Sequence, residues 1–184
     1  MAKEICISDI KKSEKLKEKM ISEILAGKIF IYPTDTIYGL GCNALNEKAV
    51  EKIREIKKRD SKPFSIIAPS FDFISKNFVL KYDIKKYLPG TYTLILEKKN
   101  KILEHVNKKT LGIRIPKHEF VGILKEAKVP FITTSVNISG KPFAKNLDEI
   151  DKAIIEKVDY IIKGKVKGVP STIISLDGSE VKRN

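Results

Sequence analysis

Lys28-Ile29-Phe30-Ile31-Tyr32-Pro33-Thr34-Asp35-Thr36-Ile37-Tyr38-Gly39-Leu40-Gly41 changes character at its proline. Residues 28–32 are β-branched or aromatic apart from the opening lysine, the composition of a strand, and Pro33, which cannot donate to a ladder, closes it. The residues that follow carry two threonine hydroxyls, one carboxylate and two glycines. They read as a polar loop at a strand end, with flexible glycines, and as a plausible small-molecule pocket. Gly39-Leu40-Gly41-Cys42-Asn43-Ala44 also fits the GxGxxA dinucleotide fingerprint. That reading is discounted, because the fingerprint needs its first glycine in a tight strand-to-helix turn and six residues intervene here.

Upstream, residues 8–26 predict one amphipathic helix, with Ile10, Leu16, Met20, Ile21, Ile24 and Leu25 on its apolar stripe and Gly27 as its stop. Downstream, Asn46 is placed to cap a helix over 47–58, with Ala49, Val50, Ile53 and Ile56 at helical spacing. Further strands are expected at 64–68, 92–97, 111–115, 131–134, 160–163 and 172–176, and helices at 71–77, 83–88, 119–128 and 147–156. The two kinds alternate without a regular βαβ beat. An α/β (α+β-like) fold with a mixed sheet is therefore expected rather than a doubly wound parallel one. Without a repeat, linker or low-complexity tract, residues 1–184 read as a single domain.

Composition narrows the function. At 42% hydrophobic residues over 184 positions the chain can bury a core, which excludes wholesale disorder. It contains no apolar run of about 18 residues, so no membrane helix is expected. Its first residues are charged throughout and lack the apolar segment of a signal peptide, so a cytoplasmic protein is expected. Cys6 and Cys42 make no CxxC pair, and His105 and His118 are too few for a His-based metal centre. No resident metal is expected; a divalent ion would arrive with a substrate.

The formal charge of +13 points to anionic partners such as nucleotides or RNA, the alternative being that a Lys- and Ile-rich composition reflects whole-proteome bias or heat adaptation. Residues 81–109 carry eight lysines against three acids, and Lys163, Lys165 and Lys167 have no carboxylate near them in sequence. Polar clusters recur at strand ends. Lys57-Lys58-Arg59-Asp60-Ser61-Lys62-Pro63 is either a solvated basic helix end or a phosphate clamp. Arg114, within Thr110-Leu111-Gly112-Ile113-Arg114-Ile115-Pro116, sits in a strand that wants burial, so it needs a protein acid or an anionic ligand. Thr133 to Pro142 is rich in hydroxyls, and Pro170-Ser171-Thr172 opens the last strand. Gly140-Lys141 is followed by Pro142, so there is no P-loop, and no Cys/His or Ser/His/Asp set offers a nucleophile. Catalysis would rest on positioning and on stabilising a charged transition state, as in phosphoryl or adenylyl transfer.

The YPTDTIYGLG stretch, Lys57-x-Arg59 followed by Lys62-Pro63, Pro89-Gly90-Thr91-Tyr92-Thr93, Gly112-Ile113-Arg114-Ile115-Pro116 and Ser135-Val136-Asn137-Ile138-Ser139-Gly140 occur in that order. In this the chain resembles the YrdC family, the threonylcarbamoyl-AMP synthases, in their stand-alone form. The resemblance implies a YrdC-like twisted mixed sheet flanked by helices around a basic cavity. It implies synthesis of L-threonylcarbamoyladenylate from L-threonine, bicarbonate or CO2, and ATP with Mg2+. Pyrophosphate is released, and a tRNA threonylcarbamoyl-transferase complex works downstream. Residue by residue, it implies Lys57 and Arg59 as catalytic contacts to the ATP phosphates. Thr34, Lys62, Arg114, Thr133 and Ser171 would face L-threonine, with Arg114 on its carboxylate. Thr110, Ser135, Asn137 and Arg183 would face ATP. Lys141-Pro142-Phe143-Ala144 departs from the family pattern and loses a hydroxyl there. The alternative reading is a non-catalytic module that binds double-stranded RNA or tRNA through the same positive charge.

Overall fold

The computed structural model of the chain describes residues 2–59 and 62–182. In chain order its elements are β1 (Lys3–Cys6), α1 (Ile7–Lys12), α2 (Glu14–Leu25), β2 (Phe30–Tyr32), β3 (Gly39–Gly41), α3 (Glu47–Lys57), β4 (Ser65–Ile67) and α4 (Phe71–Asn77). There follow β5 (Tyr92–Glu97), β6 (Thr110–Arg114), α5 (Glu119–Ala127), β7 (Phe131–Ser135), α6 (Lys152–Ile155), β8 (Tyr160–Lys163), β9 (Thr172–Ile174) and β10 (Glu180–Val181). The strands form one ten-stranded sheet, ordered β1-β8-β2-β3-β7-β4-β6-β5-β9-β10. Four neighbouring pairs are parallel (β1 with β8, β8 with β2, β4 with β6, β5 with β9) and five antiparallel (β2 with β3, β3 with β7, β7 with β4, β6 with β5, β9 with β10). The sheet is mixed, as the irregular sequence of elements predicts.

Local chemistry explains both the agreements and the differences. Asn46 caps α3 as predicted, its Oδ1 accepting from the Ala49 amide at 3.1 Å. Gly27 ends α2 with φ +78°. The predicted helix over 8–26 is two helices, because Ser13 is extended (φ −126°, ψ 106°) and its hydroxyl caps α2 through the Leu16 amide. Residues 83–88 contain only a 3-10 turn, Ile84–Lys86. Residues 147–156 divide into a 3-10 turn, Leu147–Glu149, and α6, because Ile150 is extended and Asp151 caps the second piece.

Gly39 and Gly41, read as flexible loop residues, lie in β3 between β2 and β7. A Cβ on Gly39 would stand 2.8 Å from Tyr32 Cζ, and one on Gly41 would stand 2.0 Å from the Ile132 carbonyl oxygen. Space, not backbone freedom, fixes these glycines. Beside them Phe30, Tyr32, Phe120, Phe131 and Tyr160 form the centre of the core, with Tyr32 stacked on Phe120 at 4.9 Å and Phe30 on Tyr160 at 5.0 Å. Cys42 is buried and its thiol pKa is pushed up by that burial, which keeps it inert, while Cys6 is exposed and unbridged. No helix among the described residues is long and apolar enough to cross a membrane.

Candidate functional site

Strand register puts one row of polar residues on one face of the sheet. Thr133 of β7 pairs with Ser65 of β4, Ser65 pairs with Gly112 of β6, and Gly39 pairs with Ser135. Side chains alternate faces along a strand, so Ser135 shares the face of Thr133, and Arg114 shares that of Gly112. Leu94 pairs with Ile113, which sets Thr93 opposite Arg114. Gly112 keeps the floor of this row open: a Cβ there would meet Ser65 Oγ at 2.3 Å. The 33–38 loop closes one side and Pro170-Ser171 the other. Together they make a narrow cleft of about 40 Å³, lined by Thr34, Ser65, Thr93, Arg114, Thr133, Ser135 and Ser171 among others.

Arg114 is the cleft's central charge, and it is buried. Its Nη2 donates to Asp35 Oδ1 at 3.0 Å and to Thr36 Oγ1 at 3.1 Å. The acid that its strand position demands is therefore Asp35. Thr34 is tied into the same loop: its hydroxyl donates to the Ile37 carbonyl at 2.7 Å and accepts from the Thr36 amide at 3.1 Å. Since that leaves it no second hydrogen, the Thr36 hydroxyl donates in the 2.8 Å contact between them. Thr93 and Ser171 share a buried hydroxyl contact of 2.7 Å.

A second, wider cavity of about 570 Å³ shares Thr34 with the cleft and is lined beside it by Asp35, within the ~300–1,000 Å³ usual for small-molecule sites. Lys86, Lys117, Lys165 and Lys167 surround it, with Tyr87, Tyr92 and His118. His118 caps α5, its Nδ1 accepting from the Phe120 amide, and burial lowers its pKa. The strap between β8 and β9 crosses this mouth and is pinned to the loop below: Tyr38 Oη donates to the Gly164 carbonyl, and the Gly168 amide donates to Thr36 O. Lys163, which lacks a carboxylate near it in sequence, pairs across strands with Glu4. A larger hollow of about 640 Å³ by β1 and β8 balances Lys3, Lys28, Lys52 and Lys157 against Glu23, Glu55, Glu156 and Asp159. With its lining charges balanced, it offers an anionic substrate no net attraction and is the weaker candidate.

The remaining residues singled out in the sequence fall in several places. Lys57 ends α3 almost wholly buried, 1% exposed. Its ammonium donates to Ser135 O at 2.6 Å, Asn137 O at 2.8 Å and Asn137 Oδ1 at 2.9 Å. The Ser139 amide also donates to Lys57 O, so the 135–139 turn is strapped to the helix end. Ser135 Oγ donates to Asn137 Oδ1 at 2.6 Å. Arg59 donates to the Lys62 and Pro63 carbonyls and lies over the Phe64 ring at 5.0 Å. Lys62 joins this turn through its carbonyl, and its side chain is exposed outside the cleft. Thr110 opens β6, at the opposite end of that strand from Arg114, so the fold does not bring it to the cleft. Arg183, like Asp60 and Ser61 of the basic turn, lies outside the described residues. Ser65 and Thr93 also line the cleft; the sequence assigns neither a role, Thr93 entering only as the last residue of the 89–93 motif, and a polar residue inside an otherwise apolar strand run is the available signal.

The sequence model of the Sua5/YciO/YrdC family, described as "Telomere recombination", matches residues 22–183. A Methanocaldococcus jannaschii protein provisionally named threonylcarbamoyl-AMP synthase is 46% identical over 175 residues, covering 91% of this chain and 84% of its own. The crystal structure of Pyrococcus abyssi Sua5 complexed with L-threonine superposes with a TM-score of 0.78 at 30% identity, over 96% of this chain and 54% of that one. E. coli YciO superposes with a TM-score of 0.82 at 26% identity, over 99% and 94%. The chain thus spans most of the Methanocaldococcus relative but only about half of the Sua5 chain.

Proposed function

The chain belongs to the Sua5/YciO/YrdC family, and from that footing we propose that it is an L-threonylcarbamoyladenylate synthase. It is a nucleotidyltransferase that joins L-threonine, bicarbonate or CO2, and ATP, releases pyrophosphate, and serves threonylcarbamoyl modification of tRNA in the cytoplasm. The observation that carries this reading is the hydroxyl-lined cleft around buried Arg114, in a chain whose structural relative binds L-threonine.

In this reading Arg114 holds the threonine carboxylate by charge-assisted hydrogen bonds. The threonine amine attacks CO2, losing a proton, or bicarbonate, losing water, and becomes N-carboxythreonine. That carboxylate attacks the α-phosphorus of ATP in line, the bond to the bridging oxygen breaks, and pyrophosphate leaves. Arg59 offsets charge on the departing phosphates, and Ser135 and Asn137 face the nucleotide. Lys57 acts behind them, by fixing the 135–139 turn with three hydrogen bonds. Mg2+ arrives on the ATP phosphates, whose oxygens are its usual ligands. The narrow cleft keeps a labile carbamate from water.

The test is pyrophosphate release from ATP and Mg2+, with and without L-threonine and bicarbonate, using serine and allothreonine as controls. Release that requires both is the expected result, and Arg59→Ala and Arg114→Ala should abolish most of it. No release from a folded chain, together with salt-sensitive double-stranded RNA binding indifferent to threonine, would favour the non-catalytic RNA module instead.

A further inference from the structure

Asp35 meets Arg114 at the junction of the narrow cleft and the wider basic cavity, and its two oxygens have different partners. Oδ1 accepts from Arg114 Nη2 at 3.0 Å, and Oδ2 accepts from the Lys117 amide at 2.9 Å. Both side chains of the pair are nearly closed to solvent, 8% exposed for Arg114 and 5% for Asp35. One carboxylate therefore joins three segments: the loop after β2, the end of β6, and the turn leading into α5. A buried guanidinium held this way has a fixed plane, and its neighbouring hydroxyl, Thr36, is held through Thr34.

We propose that Asp35 is a positioning residue for the amino-acid subsite. It fixes the plane of the Arg114 guanidinium for the substrate α-carboxylate and offsets the buried charge when the subsite is empty. This rests on the synthase reading above. Asp35 makes the subsite demanding in geometry, and so selective for a free planar carboxylate over an amide or alcohol at the same carbon.

Two effects oppose each other when its charge is removed, and the sign of the outcome separates them. If Asp35 only competed with the substrate for Arg114, its loss would tighten carboxylate binding. If it positions Arg114, its loss misaligns the donor and weakens binding.

The experiment is steady-state pyrophosphate release by Asp35→Asn, Asp35→Glu, Arg114→Lys and the double variant Asp35→Asn/Arg114→Lys, with circular dichroism melts as a folding control. Asp35→Asn should raise the threonine KM at least tenfold while the ATP KM stays within about twofold. It should also narrow the preference for L-threonine over L-threoninamide as a competing ligand. Asp35→Glu should recover part of the loss, and it serves as the test variant if Asp35→Asn does not fold. In an Arg114→Lys background Asp35→Asn should add little, because residues that act as one unit are non-additive. An unchanged or lowered threonine KM in a folded Asp35→Asn, or fully additive losses in the double variant, would overturn the proposal alone. A native chain without threonine-dependent release would overturn the synthase reading, and the proposal with it.

Discussion

The Lys57 ammonium donates to the Ser135 carbonyl at 2.6 Å across 78 residues of chain. Ser135 also lines the cleft around Arg114. The end of α3 thus reaches the site through the turn that follows β7. With Asn137 O and Oδ1 as its other acceptors, all three hydrogens of the charged amine are used inside the protein, whereas the neutral amine, with two, serves only two of these acceptors at once. Lys57→Met keeps the aliphatic stem and deletes these bonds, leaving buried acceptors unmatched. At about 1–3 kcal/mol for each unsatisfied group, partly recovered by relaxation, the variant should lose about 2–4 kcal/mol in urea unfolding. The affinity for ATP should fall more than that for threonine. A variant with native stability and native ATP affinity would remove the turn-fixing role.

The same lysine should make stability depend on pH. Burial, and then the nearby Arg59 guanidinium, push its pKa down to about 7 from the 10.5 of an exposed lysine. Between those values the unfolded chain carries a proton on this amine and the folded chain does not. Stability from this group therefore rises with pH across that window, and its cost is fully present below about pH 7. Urea midpoints measured from pH 6 to 10.5 should rise more steeply for the native chain than for Lys57→Met. Parallel curves would mean that Lys57 does not titrate in this range.

Gly39 and Gly41 make a graded pair. The obstacle to a Cβ at Gly39 is the Tyr32 ring, at 2.8 Å, whereas at Gly41 it is the backbone oxygen of Ile132, at 2.0 Å. A ring can shift within its packing, whereas a strand carbonyl oxygen moves only if the backbone moves with it. Overpacking typically costs about 1–3 kcal/mol. Gly39→Ala should fall in that range, and Gly41→Ala should exceed it or yield no soluble protein. Equal denaturant midpoints for the two variants would contradict the contact geometry.

Turn and cap chemistry made part of this fold legible in the sequence: Asn46 caps α3 and Gly27 stops α2 because both act on their immediate neighbours. The mixed sheet was readable from the uneven alternation of elements. What the sequence could not show was burial across the sheet. Gly39 and Gly41 resemble loop glycines until Tyr32 and Ile132 are placed against them. Lys57 resembles a solvated helix-end cation or a phosphate clamp until the 135–139 turn folds over it. The need of Arg114 for a partner was legible, but not the choice of Asp35, because that choice depends on a contact between residues 79 apart. Ser65 and Thr93 were hidden inside apolar strand runs, and only register aligns them with Thr133 and Arg114.

The buried contact between Thr93 and Ser171 separates stability from substrate recognition. Their hydroxyls meet at 2.7 Å with both residues almost wholly buried. Thr93→Val keeps the shape but leaves the Ser171 hydroxyl without this partner, a loss of about 1–3 kcal/mol. Removing both hydroxyls, in Thr93→Val/Ser171→Ala, should restore most of that stability, since two apolar groups can replace a bonded pair at little cost. Activity should not recover alongside it, because the hydroxyls that line the cleft beside Arg114 are gone. Thermal melts and threonine-dependent pyrophosphate release on the native chain and these two variants provide the comparison. If activity returns together with stability in the double variant, the pair is a packing feature of β5 and β9, with no part in holding the substrate.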